Sequence, residues 1–96
     1  MNDRINQAVE ALNARMTGDA MTGSAKFVVT GEGTIVIDAS GARAADEETD
    51  VTLIAKAEVF EAIVEGNINP ATAFMTGKLD IKGDVSVAMQ LGRVIN

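Results

Sequence analysis

The side chains best suited to chemistry in this sequence are carboxylates, and they fall into two groups. Glu58, Glu61 and Glu65 are spaced by three and four positions, which places them on one face of a helix. Residues 46–50 carry four more carboxylates in a short polar segment. Paired carboxylates can perform general acid–base catalysis, and clustered ones can bind calcium, so both groups are candidate sites.

Neither group has the partners that such chemistry requires. Nothing in the sequence places a second functional group against the glutamates, so a solvated acidic stripe is favoured over a catalytic pair. The segment 46–50 lacks the spacing and central glycine of an EF-hand, which favours a solvated loop. The chain contains no His and no Cys, which excludes Ser–His and Cys–His nucleophiles and zinc sites of the usual type. We therefore predict no catalytic residues, no metal site and no cofactor.

Length and composition point to one small domain that covers residues 1–96. The net charge of −6 disfavours binding to a nucleic-acid backbone. Aromatic residues make up only 3% of the chain, so the core must consist mainly of aliphatic side chains and Met. The N-terminal stretch has no signal-peptide pattern, and no apolar stretch approaches the length of a membrane span. We expect a cytoplasmic protein.

Hydrophobic periodicity predicts a chain in which helices and strands are mixed. Helical spacing of apolar residues marks the first helix, and glycine-containing turns separate most of the later elements. Asn69 and Asp84 are typical N-cap residues. In chain order the pattern predicts a helix at 2–16, a β-hairpin at 25–40, a polar loop at 41–50, a strand at 51–55, a helix at 57–65, a short helix after Asn69, a strand at 78–82 and a last helix after Asp84.

Two of these helices are apolar over more of their surface than a helix on a sheet requires. In the last helix Ser86, Gln90 and Arg93 form one narrow polar stripe, and in the helix at 57–65 the three glutamates do the same. A helix that packs on a sheet needs an apolar arc only somewhat wider than about 100°. A chain of 96 residues cannot enclose both helices. The surplus can be covered by the first helix, by a second chain or by an apolar ligand, and these alternatives remain open at this point.

The second half of the chain also carries a set of specific motifs. They are D-x-T at Asp50–Thr52, N-P at Asn69–Pro70, A-F-x-x-G-K-L-x-I-x-G at Ala73–Gly83, and A-M-x-L at Ala88–Leu91. With these motifs the chain resembles the sterol carrier protein 2 (SCP-2) domain family over nearly half of its length. The earlier elements agree with that family in order and length, with weaker residue matches.

This resemblance implies an α+β sandwich in which helices cover one side of a five-stranded, mostly antiparallel sheet. An apolar tunnel is expected between the two layers. Since periodicity alone indicates only four strands, the fifth is expected either within the loop at 40–48 or from a split of one predicted strand.

The function that the resemblance implies is non-catalytic binding and transfer of lipids in the tunnel, namely fatty acids, fatty acyl-CoA, phospholipids or sterol-like molecules. The expected partner is such a lipid or another long apolar small molecule, with transient membrane contact and a monomeric or weakly dimeric state. The alternative is an interaction or scaffold protein for lipid or quinone metabolism that uses its apolar helices for dimer or partner contacts. The residues predicted to line the tunnel are Phe60, Ile63, Val64, Phe74, Met75, Leu79, Ile81, Val85, Ala88, Met89 and Leu91.

Overall fold

The computed structural model describes residues 3–15 and 23–94 of the chain. The first helix agrees with the predicted one at 2–16, whose outermost residues lie outside the described part. The remaining predicted elements are present with small shifts at their ends. In chain order the elements are α1 (Asp3–Arg15), β1 (Ala25–Thr30), β2 (Gly33–Asp38), β3 (Gly41–Ala44), β4 (Val51–Lys56), α2 (Ala57–Val64), α3 (Pro70–Met75), β5 (Leu79–Gly83) and α4 (Val85–Val94).

The strands form one five-stranded sheet in the order β3-β2-β1-β4-β5. β1 pairs antiparallel with β2 and parallel with β4, and the two outer pairs are antiparallel. The register places Phe27 opposite Ile35 on one side and opposite Leu53 on the other. The predicted α+β architecture with a mostly antiparallel sheet is therefore confirmed.

The fifth strand is β3, and it lies inside the segment that periodicity predicts as a loop. It has only four residues, and within it only Ala42 is buried. Its register with β2 places Ala42 opposite Ile37, so the short strand extends the apolar face of the sheet. The Asp38 carboxylate accepts a 2.9 Å hydrogen bond from the Ser40 backbone N–H in the turn that joins the two strands.

The residues at the helix ends cap the helices as the sequence predicts. The Asn69 side chain accepts a 2.7 Å hydrogen bond from the Thr72 N–H, and the Asp84 side chain accepts one of 3.0 Å from the Ser86 N–H. Gly66 follows α2 with φ +81°, a conformation in which a glycine costs little. These caps satisfy backbone groups that a helix end leaves unpaired.

The core lies between the sheet and the helices. Strand residues that face the helices alternate with exposed or half-buried ones, as in β1, where Ala25, Phe27 and Val29 are buried. The rings of Phe27 and Phe60 meet edge to face, with centroids 4.5 Å apart and an interplanar angle of 63°. This geometry suits two aromatic quadrupoles and joins β1 to α2.

The connection from β3 to β4 packs on the opposite face of the sheet. Asp46 forms a 3.0 Å ion pair with Lys26, and Glu47 forms one of 2.7 Å with Arg43. Val36 pairs with Lys26 and Arg43 in the register, so all three side chains share this face. Val36 is only 1% exposed although it points away from the helices. Carboxylates of the segment 46–50 thus serve to fasten the connection across the sheet.

Candidate functional site

A cleft opens between α1 and α2, above the end of β1, with a volume of about 300 Å³. The apolar residues come from three elements, namely α1, α2 and β1. Phe60 provides the largest of these side chains, and its position is fixed by the contact with Phe27. The apolar lining consists of Ile5, Ala8, Ala11, Val29, Ala57, Phe60 and Val64.

The mouth of the cleft is polar and charged. Arg4, Gln7, Glu61 and Glu65 contribute to its lining. Arg4 forms ion pairs with Glu32, at 3.1 Å, and with Glu61, at 3.6 Å, and so links α1, the β1–β2 turn and α2. The Arg4 and Glu61 side chains are about half exposed, so each pair contributes at most about 1 kcal/mol and exchanges readily with other anions.

The acidic stripe of α2 therefore borders the cleft. Glu61 pairs with Arg4, and Glu58 and Glu65 are exposed. Within residues 3–15 and 23–94 no three acidic side chains converge closely enough to hold a metal ion. In the same ranges no helix combines the length and the hydropathy needed to cross a bilayer.

The wall formed by α1 is fixed to the sheet mainly at its C-terminal half. Leu12 is 1% exposed, and the Asn13 amide pairs with the backbone of Ala42 in both directions. It donates to the Ala42 carbonyl at 3.0 Å and accepts from the Ala42 N–H at 2.9 Å. A Cβ on Gly41, whose φ is +115°, would lie 2.7 Å from the Asn13 Oδ1 atom. Glycine at that position therefore permits the close approach of Asn13 to β3.

The structure distributes the eleven predicted lining residues over four environments. Phe60 and Val64 line the cleft. Ile81 and Met89 are half-buried and pack against the core. Four others are at most 2% exposed and belong to the core itself, namely Ile63, Leu79, Ala88 and Leu91.

The three remaining predicted residues are on the surface. Phe74 is 48% exposed and Met75 84%, both at the end of α3, and Val85 at the start of α4 is 50% exposed. None of the three lines the cleft. The cleft thus contains two of the eleven residues, and a tunnel lined by the others stays a prediction.

Sequence reasoning missed the contribution of α1 to the cleft. Ile5 and Ala8 belong to the apolar face that periodicity identifies, but neither is among the eleven residues predicted to line the tunnel. Among the residues of this helix whose burial the structure describes, Ile5 and Leu12 are buried, whereas Ala8 and Ala11 are half-buried at the cleft. The available signal was the excess of apolar surface on α2, for which the first helix was one of three possible covers.

Comparison with known families gives a match over almost the whole chain. The model of the SCP-2 sterol transfer family matches residues 4–96. Among curated proteins, hydroxysteroid dehydrogenase-like protein 2 from Bos taurus is 34% identical over 50 residues. The human protein of that name matches to the same extent. The match covers 52% of this chain but only 12% of the curated protein.

Solved structures show the same fold. The solution structure of sterol carrier protein 2 from Aedes aegypti, a complex with the C16 fatty acid palmitate, superposes with a TM-score of 0.77 at 19% identity. That comparison covers 99% of this chain and 96% of the mosquito protein. Sterol carrier protein domain 2 of Helicoverpa armigera gives a TM-score of 0.74 at 25% identity, covering 96% of this chain and 85% of that one.

Proposed function

The chain belongs to the SCP-2 sterol transfer family, and from this membership we propose that it binds lipids in an apolar site and transfers them between membranes. The proposed ligands are fatty acids, fatty acyl-CoA, phospholipids or sterol-like molecules. The protein acts without catalysis, because its part is to shield an apolar molecule from water. The palmitate complex of the mosquito protein supports a fatty acid as the first ligand to test.

The cleft between α1 and α2 is the observation that carries this proposal. Its volume of about 300 Å³ is at the lower end of the range of small-molecule pockets. Its seven apolar side chains can bury an acyl chain, and such burial is favourable by about 25 cal/mol per Å². Because this driving force is non-directional, we infer broad selectivity among ligands of similar girth.

The charges at the mouth orient the ligand in this proposal. The acyl chain enters between Ala8 and Phe60, and the head group stays near Arg4. A ligand carboxylate can replace the Glu61 carboxylate on Arg4, since the existing pair is long and half exposed. Glu61, Glu65 and Glu32 keep the same mouth acidic, which disfavours ligands with several negative charges near the apolar chain.

Longer ligands would extend from the cleft into the core. Ile63, Leu79, Ala88 and Leu91 belong to the same buried core cluster as Phe60, so a tunnel through them stays a prediction. The core contains few aromatic rings, and aliphatic side chains and Met can adjust to a guest more easily. Phe74, Met75 and Val85 stand outside this path.

For the localisation and the oligomeric state, we propose a cytoplasmic protein that is a monomer or weak homodimer. The match spans only about an eighth of the dehydrogenase-like relatives, so their name supports no oxidoreductase activity here. A scaffold role is less favoured, because the surplus apolar surface of α2 faces a cleft of ligand size.

The test is binding of a fluorescent fatty acid to the 96-residue protein and to two phenylalanine variants of α1. Ala8→Phe places a ring in the cleft, and we expect it to weaken fatty-acid binding about tenfold or more. Asn6→Phe adds the same ring to the exposed side of the same helix and should leave binding within about twofold of the parent. Circular dichroism melting curves establish that both variants are folded.

A wrong function and a wrong binding site would give different results in this experiment. If the parent takes up no fatty acid and native mass spectrometry finds no other lipid bound, the transfer function is wrong for this chain. If the parent binds and folded Ala8→Phe binds equally well, the ligand occupies another site.

A further inference from the structure

The lysines of this acidic chain lie along one face of the sheet. The sequence has only four, Lys26, Lys56, Lys78 and Lys82. Thr52 pairs with Lys26 on one side and with Lys82 on the other, so both lysines share the face opposite the helices. Lys56 follows Thr52 by four residues on the same strand and shares that face as well.

Among the described residues, three of these lysines have no ion-pair partner. Lys26 is paired with Asp46, and its side chain is only 20% exposed. Lys56, Lys78 and Lys82 are exposed and form no ion pair with any other residue that the structure describes. Asp80 lies between Lys78 and Lys82 along the chain, and Asp84 follows Lys82 by two residues, so these two carboxylates offset two of the three charges. The end of the sheet at β5 therefore carries a positive surplus on a protein of net charge −6.

Exposed apolar side chains lie at both ends of the same strand. Phe74, Met75 and Val85 are the large apolar residues that stand out as exposed in the described part of the chain. At the end of α3 the Gly77 N–H donates to the Phe74 carbonyl at 3.1 Å, and the Lys78 N–H donates to the Ala73 carbonyl at 2.9 Å. These two hydrogen bonds reverse the direction of the chain and hold the Lys78 backbone beside the end of α3.

Val85 follows Lys82 at the other end of β5, after the Asp84 cap. Each end of the strand therefore combines a lysine with an exposed apolar side chain, about 15 Å apart along the strand. We refer to this region as the β5 edge, which consists of Lys56, Phe74, Met75, Lys78, Lys82 and Val85.

We propose that the β5 edge is a membrane-docking surface for bilayers that contain anionic phospholipids. Lysines near such a surface are attracted to its negative potential, and neighbouring apolar side chains can enter the interfacial layer. The acidic stripe of α2 lies in the helix layer and is repelled by the same bilayer, so the charge distribution orients the approach. The biological need for docking rests on the proposed transfer function, but docking itself is measured without a cargo.

A second copy of the chain is a weaker fit to the same edge. β5 exposes one unpaired strand edge, which in principle could add a strand from another molecule. Charged residues on an edge strand oppose such pairing, and β5 carries Asp80 and Lys82 with Lys78 directly before it. Two copies would also bring the positive surplus of each edge against that of the other.

The experiment is co-sedimentation of the 96-residue protein with phosphatidylcholine vesicles prepared with and without phosphatidylserine. The parent should bind the anionic vesicles more strongly, and added salt should weaken that binding. Lys82→Gln should reduce the partition coefficient about fivefold, and the double variant Lys78→Gln/Lys82→Gln at least about tenfold. Lys26→Gln is the matched control, because it removes one lysine charge from the same face but from an existing ion pair; it should change binding less than about twofold.

A second variant tests the apolar part of the surface. Met75→Ser removes an exposed side chain, leaves the charge unchanged and should weaken binding about threefold or more. The proposal is overturned if the parent does not bind anionic vesicles, or if the double lysine variant binds as the parent does. It is also overturned if sedimentation equilibrium shows a dimer of the parent that the lysine variants abolish, since a second copy then occupies the edge.

Uptake of the fluorescent fatty acid from solution distinguishes this proposal from the proposed function. The lysine variants should retain the parent's uptake, because none of these lysines lines the cleft. A parent that docks on vesicles through its lysines but takes up no lipid contradicts only the transfer function. A parent that takes up fatty acid but ignores anionic vesicles contradicts only the docking surface.

Discussion

Apolar side chains border both the cleft between α1 and α2 and the β5 edge, but most of those in the cleft are buried and those at the edge are exposed. In the cleft the apolar atoms form a recess whose mouth carries Arg4 and three glutamates. At the β5 edge Met75 is 84% exposed and protrudes beside lysines. A recess shields a small molecule on several sides, whereas a protruding side chain can only enter a lipid bilayer or a complementary pocket of a partner.

The difference shows that apolar surface can serve different kinds of binding, depending on its shape. Apolar side chains occur at both places, but the shape of the surface that they form and the sign of the neighbouring charges differ. A protein that moves a lipid between membranes requires one surface of each type, since cargo has to be both shielded and handed over. The two surfaces can be disturbed separately, and three predictions use this.

The largest expected difference concerns stability. Phe60→Ala removes a 2%-exposed ring and its edge-to-face contact with Phe27, so we expect a loss of about 3–5 kcal/mol in the free energy of unfolding. Met75→Ala at the β5 edge should change that free energy by less than about 0.5 kcal/mol. Urea unfolding measures both. Equal losses would mean that Met75 packs in the core and that the edge is not a free surface.

An intermediate effect is expected where α1 is fastened to the sheet. Asn13→Ala leaves the N–H and the carbonyl of Ala42 without their side-chain partner, which should cost about 1–3 kcal/mol. Hydrogen exchange should show faster exchange of the Ala42 amide, and the cleft should bind fatty acid less tightly because its α1 wall is looser.

Asn6→Ala, on the exposed side of α1, is the control for this change and should have little effect on either measurement. Vesicle binding through the β5 edge should be the same in all three proteins. A loss of vesicle binding in Asn13→Ala would show that the two surfaces are not independent.

The smallest effect concerns the acid end of the pH range at the β5 edge. Hydrogen bonds from the Ser86 hydroxyl and then from its backbone N–H hold the pKa of Asp84 below its ordinary value of 3.8. The folded state therefore binds fewer protons at this carboxyl than the unfolded state, so its contribution to stability is present above pH 3.8 and lost as the pH falls through the lowered pKa. The effect is small because the carboxylate is exposed.

Asp84→Asn tests this assignment, because asparagine is also a good N-cap but does not titrate. The urea midpoint of the variant should fall less steeply on acidification than that of the parent, with similar values near neutral pH. Parallel pH profiles for the two proteins would exclude Asp84 as a source of the acid sensitivity.

Much of the architecture could be predicted from the residues themselves. Alternation in β1 and β4, the caps Asn69 and Asp84, and the glycine after α2 are local signals, because each depends on the conformation of a few adjacent residues. The motifs at Ala73–Gly83 led to the correct family. The apolar excess on α2 indicated that something beyond the sheet must cover this helix.

Other features depended on contacts between distant parts of the chain. β3 is too short for periodicity to mark, and it exists because β2 offers it a pairing edge. Ile63 and Val64 are adjacent apolar residues of α2, yet only Val64 reaches the cleft, since the gap between α1 and α2 opens on its side of the helix.

The sequence by itself determined the four helices and four of the five strands, the family, and the presence of more apolar surface than the fold can bury. Only the tertiary structure decided that Phe60 faces a cleft, that Leu79 and Ala88 fill the core, and that Met75 stands beside the lysines of β5. The physical reason is that periodicity reports which side of an element is apolar. Burial depends on which other element, if any, packs against that side.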